Sequence, residues 1–311
     1  MIKNILRNFL LITLFFLSSN SLALDFPLLR LNKNGHSIFL IGSMHVGLAS
    51  TSRTKDINAL LKNNSSVCME NDADDRQSAI HVAQTIFANP PGLRLKDRIG
   101  PVLYDESKEQ LKWYISTGAS IDDISPYVLF SLLTMNMPNL RDFMFQLTPQ
   151  NSLDAVIRTA AASMKQPLLS IEDKNAVPSA FSSLTDEEWK YFVSGILHIL
   201  HCKECIKSYS ENMIHTYDVG TDFDAAHWSA KQAFASDAKL FAIFEKLYYG
   251  DRNITMAKNI ENDALNNKKC DIVAIGLGHL GGPLGVVARL QNNGVQIEIF
   301  NTVEEALHQP N

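Results

Sequence analysis

Two histidines near opposite ends of the chain stand in the same short motif, each directly after an apolar run. The first motif is Gly42-Ser43-Met44-His45, and the second is Gly276-Leu277-Gly278-His279. A third apolar run ends in Glu70. Imidazoles and a carboxylate together can hold a divalent cation and leave a position open for water. The residue types therefore indicate a metal site built from His45, Glu70 and His279.

Each of these three side chains follows a predicted strand. Short runs rich in β-branched residues and bounded by glycine or charge are typical of buried strands. A helix predicted over residues 54–61 separates the strand before His45 from the strand before Glu70, so these two strands should run parallel. Open sheets bind ligands outside the carboxyl ends of their strands. The three side chains should therefore converge if their strands are neighbours.

The α/β pattern is strong at both ends of the chain and weak between them. Residues 28–31 and 37–41 are predicted to form a hairpin through an Asn34-Gly35 turn. Helical spacing of apolar residues dominates the middle, where one short predicted strand ends in Glu172. We expect an α/β fold with a mixed, mostly parallel central sheet from the N- and C-terminal parts. A large helical insertion should occupy roughly residues 76–250.

The first 23 residues have the pattern of a secretory signal peptide. Lys3 and Arg7 precede a short apolar stretch that is followed by the small-x-small sequence Ser21-Leu22-Ala23. We expect cleavage after Ala23, which leaves residues 24–311 as an exported chain, periplasmic or secreted, without a stable membrane span. The net charge is −5 and no basic cluster is present, which argues against a nucleic-acid partner.

Four cysteines in an exported chain suggest disulfides. Cys68 and Cys270 lie in or beside two predicted sheet strands and can pair if those strands are adjacent. Cys202 and Cys205 form a C-x-x-C sequence. The alternative is a local bridge between Cys202 and Cys205 together with two buried thiols, because free cysteine is often buried.

The second histidine motif also supports a different interpretation. Residues 276–281 match G-x-G-x-x-G between a predicted strand and a helix, and Glu298 lies in the next strand, as in dinucleotide-binding units. However, the chain stops soon after Phe300, export disfavours a nicotinamide cofactor, and a histidine is unexpected in a phosphate-binding turn. A nucleotide-dependent enzyme is therefore the weaker alternative.

Three further charged residues are candidates for supporting roles. Arg252, in Asp251-Arg252-Asn253, could clamp a substrate carboxylate or pair with Glu70, although a helix-capping role is equally consistent with the sequence. Asp154 and Glu172 are candidates to orient the histidine rings from behind.

Taken in order, these motifs resemble the TraB/GumN (TraB/PrgY/GumN) family. The similar blocks are residues 41–47, 67–70, 152–154 with 169–172, 251–253 and 274–286. Two outer positions depart from the family pattern, since Met44 and Asp173 stand where the family usually has threonine.

The resemblance implies a fold similar to the erythromycin-esterase/ChaN-like group. It also implies kinship with the Tiki proteins, which are membrane-tethered metal-dependent proteases, and an active site formed by His45, His279 and Glu70. We therefore expect a metal-dependent hydrolase that acts on a peptide or protein substrate. The two histidines would hold Mn²⁺, Co²⁺ or Zn²⁺, Glu70 would be a third ligand or the base, and Arg252 would neutralise charge. The alternative is a non-catalytic secreted protein that binds a peptide, haem or a small ligand in the same pocket.

Overall fold

The computed structural model describes residues 26–44, 51–70, 88–147, 149–173, 175–217, 221–235 and 237–308. The predicted signal peptide and His45 lie outside these ranges. The strands are β1 (Leu28–Lys33), β2 (His36–Ser43), β3 (Val67–Met69), β4 (Leu168–Ser170), β5 (Ile272–Gly276) and β6 (Gln296–Phe300). They form one six-stranded sheet in the order β4-β3-β5-β2-β1-β6.

The sheet is mixed and mostly parallel. Strands β4, β3, β5 and β2 run in the same direction, and β1 pairs antiparallel with β2 and β6. β5 lies between β3 and β2, so the strands that lead to the two histidine motifs and to Glu70 are neighbours. This confirms the predicted α/β fold class and the parallel direction of β2 and β3.

The predicted hairpin is present and closes through two residues. Its register pairs Leu28 with Ile41 and Lys33 with His36, which leaves Asn34 and Gly35 as the turn. Their φ angles are 52° and 75°. Positive φ at both central residues is the requirement of a type I′ turn, and asparagine followed by glycine is the sequence that best tolerates it.

Helices surround the sheet. Those in the described part of the chain are α1 (Thr51–Lys62), α2 (Leu95–Ile99), α3 (Pro101–Gln110), α4 (Lys112–Ile115), α5 (Pro126–Thr134), α6 (Pro138–Met144), α7 (Leu153–Ser163), α8 (Ala176–Ser182), α9 (Asp186–Leu200), α10 (Lys203–His215), α11 (Phe223–Ala233), α12 (Ala238–Tyr248), α13 (Gly250–Asn259), α14 (Val286–Asn292) and α15 (Val303–His308). Short 3-10 helices occupy Pro149–Asn151 and Leu277–His279, and a π-helix occupies Ile260–Asn266. None of these helices is both long enough and apolar enough to cross a bilayer.

β5 is the centre of the core, and all five of its residues are buried. Ile272 and Ala274 pack with α1, α7 and α15 on one face of the sheet. Val273 and Ile275 pack with α11, α13, the π-helix and α14 on the other face. Burial on both faces explains why this strand is a continuous apolar run rather than an alternating one. A further apolar cluster joins α2, α5, α9 and α12 to one another and forms the helical layer.

Candidate functional site

Glu70 is the first residue beyond β3, and its carboxylate is fixed from two sides. Oε2 accepts a hydrogen bond of 2.6 Å from the backbone N–H of Gly276, the last residue of β5. Oε1 accepts one of 2.7 Å from a terminal nitrogen of Arg252. Only 4% of the side chain is exposed. The pairing of β3 with β5 thus places a buried carboxylate at the carboxyl edge of the sheet.

Glu172 reaches the same place because β4 continues alongside β3. Its backbone N–H donates to the carbonyl of Glu70 across 3.0 Å, one step beyond the two strands. Its carboxylate accepts two hydrogen bonds from Arg252, of 2.7 Å from Nε and 2.8 Å from a terminal nitrogen. Only 1% of its side chain is exposed. Two buried carboxylates therefore share one guanidinium.

Arg252 belongs to the first turn of α13 and bridges the two glutamates. Burial alone would lower the pKa of Arg252, but the hydrogen bond and charge of Glu172 and the charge of Glu70 outweigh it and raise that pKa. The guanidinium therefore stays charged. Over these three described side chains the formal charge is −1, and a bound cation can compensate this charge.

His279 is oriented by Asn253, the residue that follows Arg252 on α13. Nδ1 of His279 lies 2.7 Å from Oδ1 of Asn253, while the amide nitrogen of Asn253 donates to the carbonyl of Leu284 across 3.0 Å. A carbonyl only accepts hydrogen bonds, so Leu284 fixes which way the amide faces and makes Nδ1 the protonated nitrogen. In the neutral ring, Nε2 then has its lone pair available for a cation.

The two donors are spaced to share one cation. Nε2 of His279 lies 3.6 Å from Oε1 of Glu70. Histidine and carboxylate ligands bind zinc at about 2.0–2.2 Å, so both atoms can reach the same ion. Within the described ranges, no group of three or more histidine, cysteine or acidic side chains is arranged to hold a metal ion. The predicted third donor, His45, follows Ser43 at the end of β2 by two residues and lies outside those ranges.

The structure describes part of the surroundings of Glu172 and Asp154. Glu172 contacts Arg252, and the ring of His279 bonds to Asn253. Asp154 lies in the first turn of α7, on the sheet face that α1 and α15 also cover. Its predicted role behind a histidine ring stays a prediction.

Tyr249 was not among the site residues predicted from the sequence. Its ring stands edge-on to that of His279, with 5.6 Å between ring centroids. A Cβ atom on Gly278 would lie 2.8 Å from the tyrosine oxygen, so the hydroxyl rests against the backbone beside His279. Burial raises the pKa of Tyr249, which therefore remains a neutral hydrogen-bond donor. The available signal was spacing, since Tyr249 and Asn253 are four residues apart and occupy one helix face.

The glycine-rich turn after β5 is packed against protein backbone. A Cβ atom on Gly281 would lie 2.2 Å from the carbonyl oxygen of Phe223, and one on Gly285 would lie 2.2 Å from that of Leu280. The turn forms the 3-10 helix that carries His279, and α14 begins only at Val286. In a dinucleotide-binding unit the glycine turn opens the helix directly, so the geometry differs from that alternative.

Two disulfides join the cysteines. Cys68 of β3 is bonded to Cys270, just before β5, and Cys202 is bonded to Cys205 at the start of α10. Cys68 and Cys270 are both buried. The first bridge therefore links the strand that precedes Glu70 with the strand that precedes His279.

Comparison with known proteins identifies one family. The sequence profile of the TraB/PrgY/gumN family matches residues 27–299. No match to a curated protein sequence was found. The match covers most of the 311 residues, and the chain belongs to the TraB/PrgY/gumN family.

Proposed function

We propose that this member of the TraB/PrgY/gumN family is an exported, metal-dependent hydrolase that acts on peptides. The observation that carries the proposal is the position of Glu70, with Oε1 3.6 Å from Nε2 of His279 and Oε2 bonded to the N–H of Gly276. A carboxylate and an imidazole that turns Nε2 towards it, at the carboxyl edge of a parallel sheet, are suited to one divalent cation. His45 supplies the third donor in this proposal.

When bound, Mn²⁺, Co²⁺ or Zn²⁺ would supply Lewis acidity that polarises a carbonyl group and lowers the pKa of a water molecule. His279 offers Nε2 because Asn253 holds its other nitrogen. Arg252 and the backbone N–H of Gly276 both hold the carboxylate of Glu70, which keeps Oε1 near Nε2 of His279. This fixed position favours the ligand role of Glu70 over the role of general base.

Arg252 has a positioning role in this scheme. Glu172 occupies two of its nitrogens, so the guanidinium cannot swing towards solvent without leaving a buried carboxylate unpaired. Its remaining contact with Glu70 keeps that side chain directed at His279. Neutralisation of Glu70, rather than capture of a substrate carboxylate, is the role that these contacts support.

The cysteine pairing supports the exported location. Disulfides persist in oxidising compartments and are rare in a reducing cytosol. The bond between Cys68 and Cys270 joins the two strands that precede Glu70 and His279. We propose that the chain forms this bond after export, in the periplasm or outside the cell.

A non-catalytic binding protein is the second candidate, because the same edge of the sheet adjoins a large apolar cavity. The two candidates differ in the effect of Glu70→Gln. In a hydrolase this change removes turnover and leaves peptide binding intact, whereas a binding protein has no turnover in either form. Fluorogenic peptides, assayed with and without added Mn²⁺, Co²⁺ or Zn²⁺, measure the difference.

Metal stoichiometry tests the proposal directly. We expect about one Mn²⁺, Co²⁺ or Zn²⁺ per chain of residues 24–311, with binding lost in His279→Ala and in His45→Ala and weakened in Glu70→Gln. His201→Ala is the matched control, since His201 is exposed and pairs with Glu106. Undiminished binding in both His279→Ala and His45→Ala would contradict the metal site.

A further inference from the structure

A cavity of about 560 Å³ opens beside the candidate site. Gly278 and Tyr249 belong to its lining and also adjoin His279, and Met44 brings the end of β2 to the same space. The far wall consists of residues from α5, α6, α10 and α11. The volume lies within the range of about 300–1,000 Å³ that is usual for ligand sites. The cavity therefore adjoins the carboxyl edge of the sheet and is large enough for a ligand.

The described part of the cavity wall is apolar and uncharged. None of the described residues that line it carries a charged side chain, and methionines such as Met135, Met144 and Met213 contribute flexible surface. The hydroxyls of Ser131 and Thr134 donate to carbonyls of their own helix, at 3.1 Å and 2.8 Å. Such a wall favours bulky apolar groups.

Tyrosines add a second property to the lining. Tyr209 and Tyr217 line the cavity, and burial raises the pKa of each of them. Their hydroxyls therefore stay neutral. Neutral hydroxyls donate well to carbonyl oxygens, which a peptide carries at every residue.

We infer that this cavity is a specificity pocket that holds bulky apolar side chains of a peptide, next to the bond that is cleaved. An apolar cavity of about 150 Å³ holds one benzene ring, so this one has room for about three groups of that size. A fatty acid would bring a carboxylate that the described lining does not neutralise, whereas a peptide segment brings carbonyls that the tyrosines can bind. The inference rests on the proposed function only for the position of the cleaved bond.

Two matched peptides test the pocket by binding alone. We would titrate metal-free chain 24–311 with acetyl-Leu-Phe-Leu-amide and acetyl-Ser-Gln-Ser-amide by calorimetry. The apolar peptide should bind at least about tenfold more tightly, because each buried large side chain gains more than a tenfold change in affinity requires. Ser131→Phe, which fills the cavity, should abolish this difference. The matched control is Ser208→Phe, because Ser208 is exposed on α10 and absent from the lining.

A variant with changed specificity separates loss of the pocket from loss of the fold, because a misfolded chain would not gain a new preference. Val128→Asp places a carboxylate in the wall, so the variant should prefer acetyl-Leu-Lys-Leu-amide over the Phe peptide, reversing the order of the native chain.

Equal affinity of the native chain for the apolar and polar peptides would overturn the inference. Displacement of the apolar peptide by dodecanoic acid at lower concentration than by unlabelled peptide would assign the pocket to acyl chains and also overturn it. Selective peptide binding without metal-dependent cleavage would refute the proposed function and leave the inference standing.

Discussion

Nδ1 of His279 lies 2.7 Å from Oδ1 of Asn253, and this contact decides which ring nitrogen meets the cation site. Asn253 can hold only this orientation because its amide nitrogen is bonded to the carbonyl of Leu284. The ring nitrogen 3.6 Å from Glu70 is consequently the unprotonated one in the neutral ring. The structure thus couples the chemistry of His279 to an amide on α13.

Loss of this amide should weaken the cation site. Asn253→Ala removes the partner of Nδ1 and frees both the tautomer and the ring, so affinity for Zn²⁺ should fall by about 10–100-fold. Asn253→Asp retains the acceptor for Nδ1 but sets its second oxygen against the carbonyl of Leu284, so it should preserve only part of the affinity. Competition with a chromophoric chelator measures both. An alanine variant that binds Zn²⁺ as tightly as the native chain would contradict the assigned tautomer.

Removal of one charge from the buried bridge should destabilise the fold strongly. Glu172→Gln turns one acceptor of the bidentate pair into an N–H donor that faces Arg252, whose side chain is 11% exposed, while Glu70 still balances the charge of the guanidinium. Because a buried charge-assisted hydrogen bond is lost, we expect the free energy of unfolding in urea to drop by about 1.5–3 kcal/mol. Asp186→Asn breaks the more exposed pair with Arg98 and should cost less than about 1 kcal/mol. Similar losses in the two variants would contradict this prediction.

The close contact between Gly278 and Tyr249 predicts a compensating pair of substitutions. Gly278→Ala places a methyl group 2.8 Å from the tyrosine oxygen and should cost about 1–3 kcal/mol of stability. Tyr249→Phe removes that oxygen, so the alanine should cost less in the double variant. Thermal unfolding of the four chains gives the coupling energy. Additive effects would show that the hydroxyl does not rest against this glycine.

The two disulfides should contribute unequally to stability. The bond between Cys68 and Cys270 spans 202 residues of sequence, and that between Cys202 and Cys205 spans 3. By the loop-closure relation, the Cys68→Ala/Cys270→Ala chain should lose about 3.7 kcal/mol more than the Cys202→Ser/Cys205→Ser chain. Urea denaturation of both double variants under non-reducing conditions makes the comparison. Equal losses would refute this prediction.

Mild acid should destabilise the chain through His227. Burial, helped by the charge of Lys231 and opposed by that of Asp224, lowers the pKa of His227 in the fold. The unfolded chain therefore binds this proton more readily, and stability should fall as pH decreases below about 6.5. His227→Gln should flatten that part of the curve. The test compares unfolding free energies at about pH 7.5 and pH 5.5, and identical pH dependence in both chains would contradict it.

Short sequence patterns were sufficient to predict most strands of the sheet. Asn34-Gly35 specifies a turn within four residues of sequence, and residues 272–276 form a short apolar run that only a doubly buried strand explains. Because strand ends are visible in such runs, the positions of Glu70 and His279 at the carboxyl edge followed from sequence. Which strands are neighbours required the structure, since pairing depends on contacts between distant segments.

The contacts of Glu172 and Asn253 could not be predicted from the sequence. Glu172 meets Arg252 because β4 pairs with β3, a long-range fact, and Asn253 reaches His279 only because the turn before α14 presents the carbonyl of Leu284. The helix that follows this turn begins only at Val286. Gly282, within the turn, has a φ of +78°, which lies outside the range of a right-handed helix.

The position of β5 in the sheet determines when the candidate site can form during synthesis. Residues 272–276 are made after nearly nine-tenths of the chain, yet they lie between β2 and β3, which are made within the first quarter. A nascent chain that stops before them lacks both His279 and the backbone N–H that holds Glu70. Such late, long-range closure is slow. A fragment that ends before Ile272 therefore cannot form the candidate site, which is completed when the last parallel strand inserts.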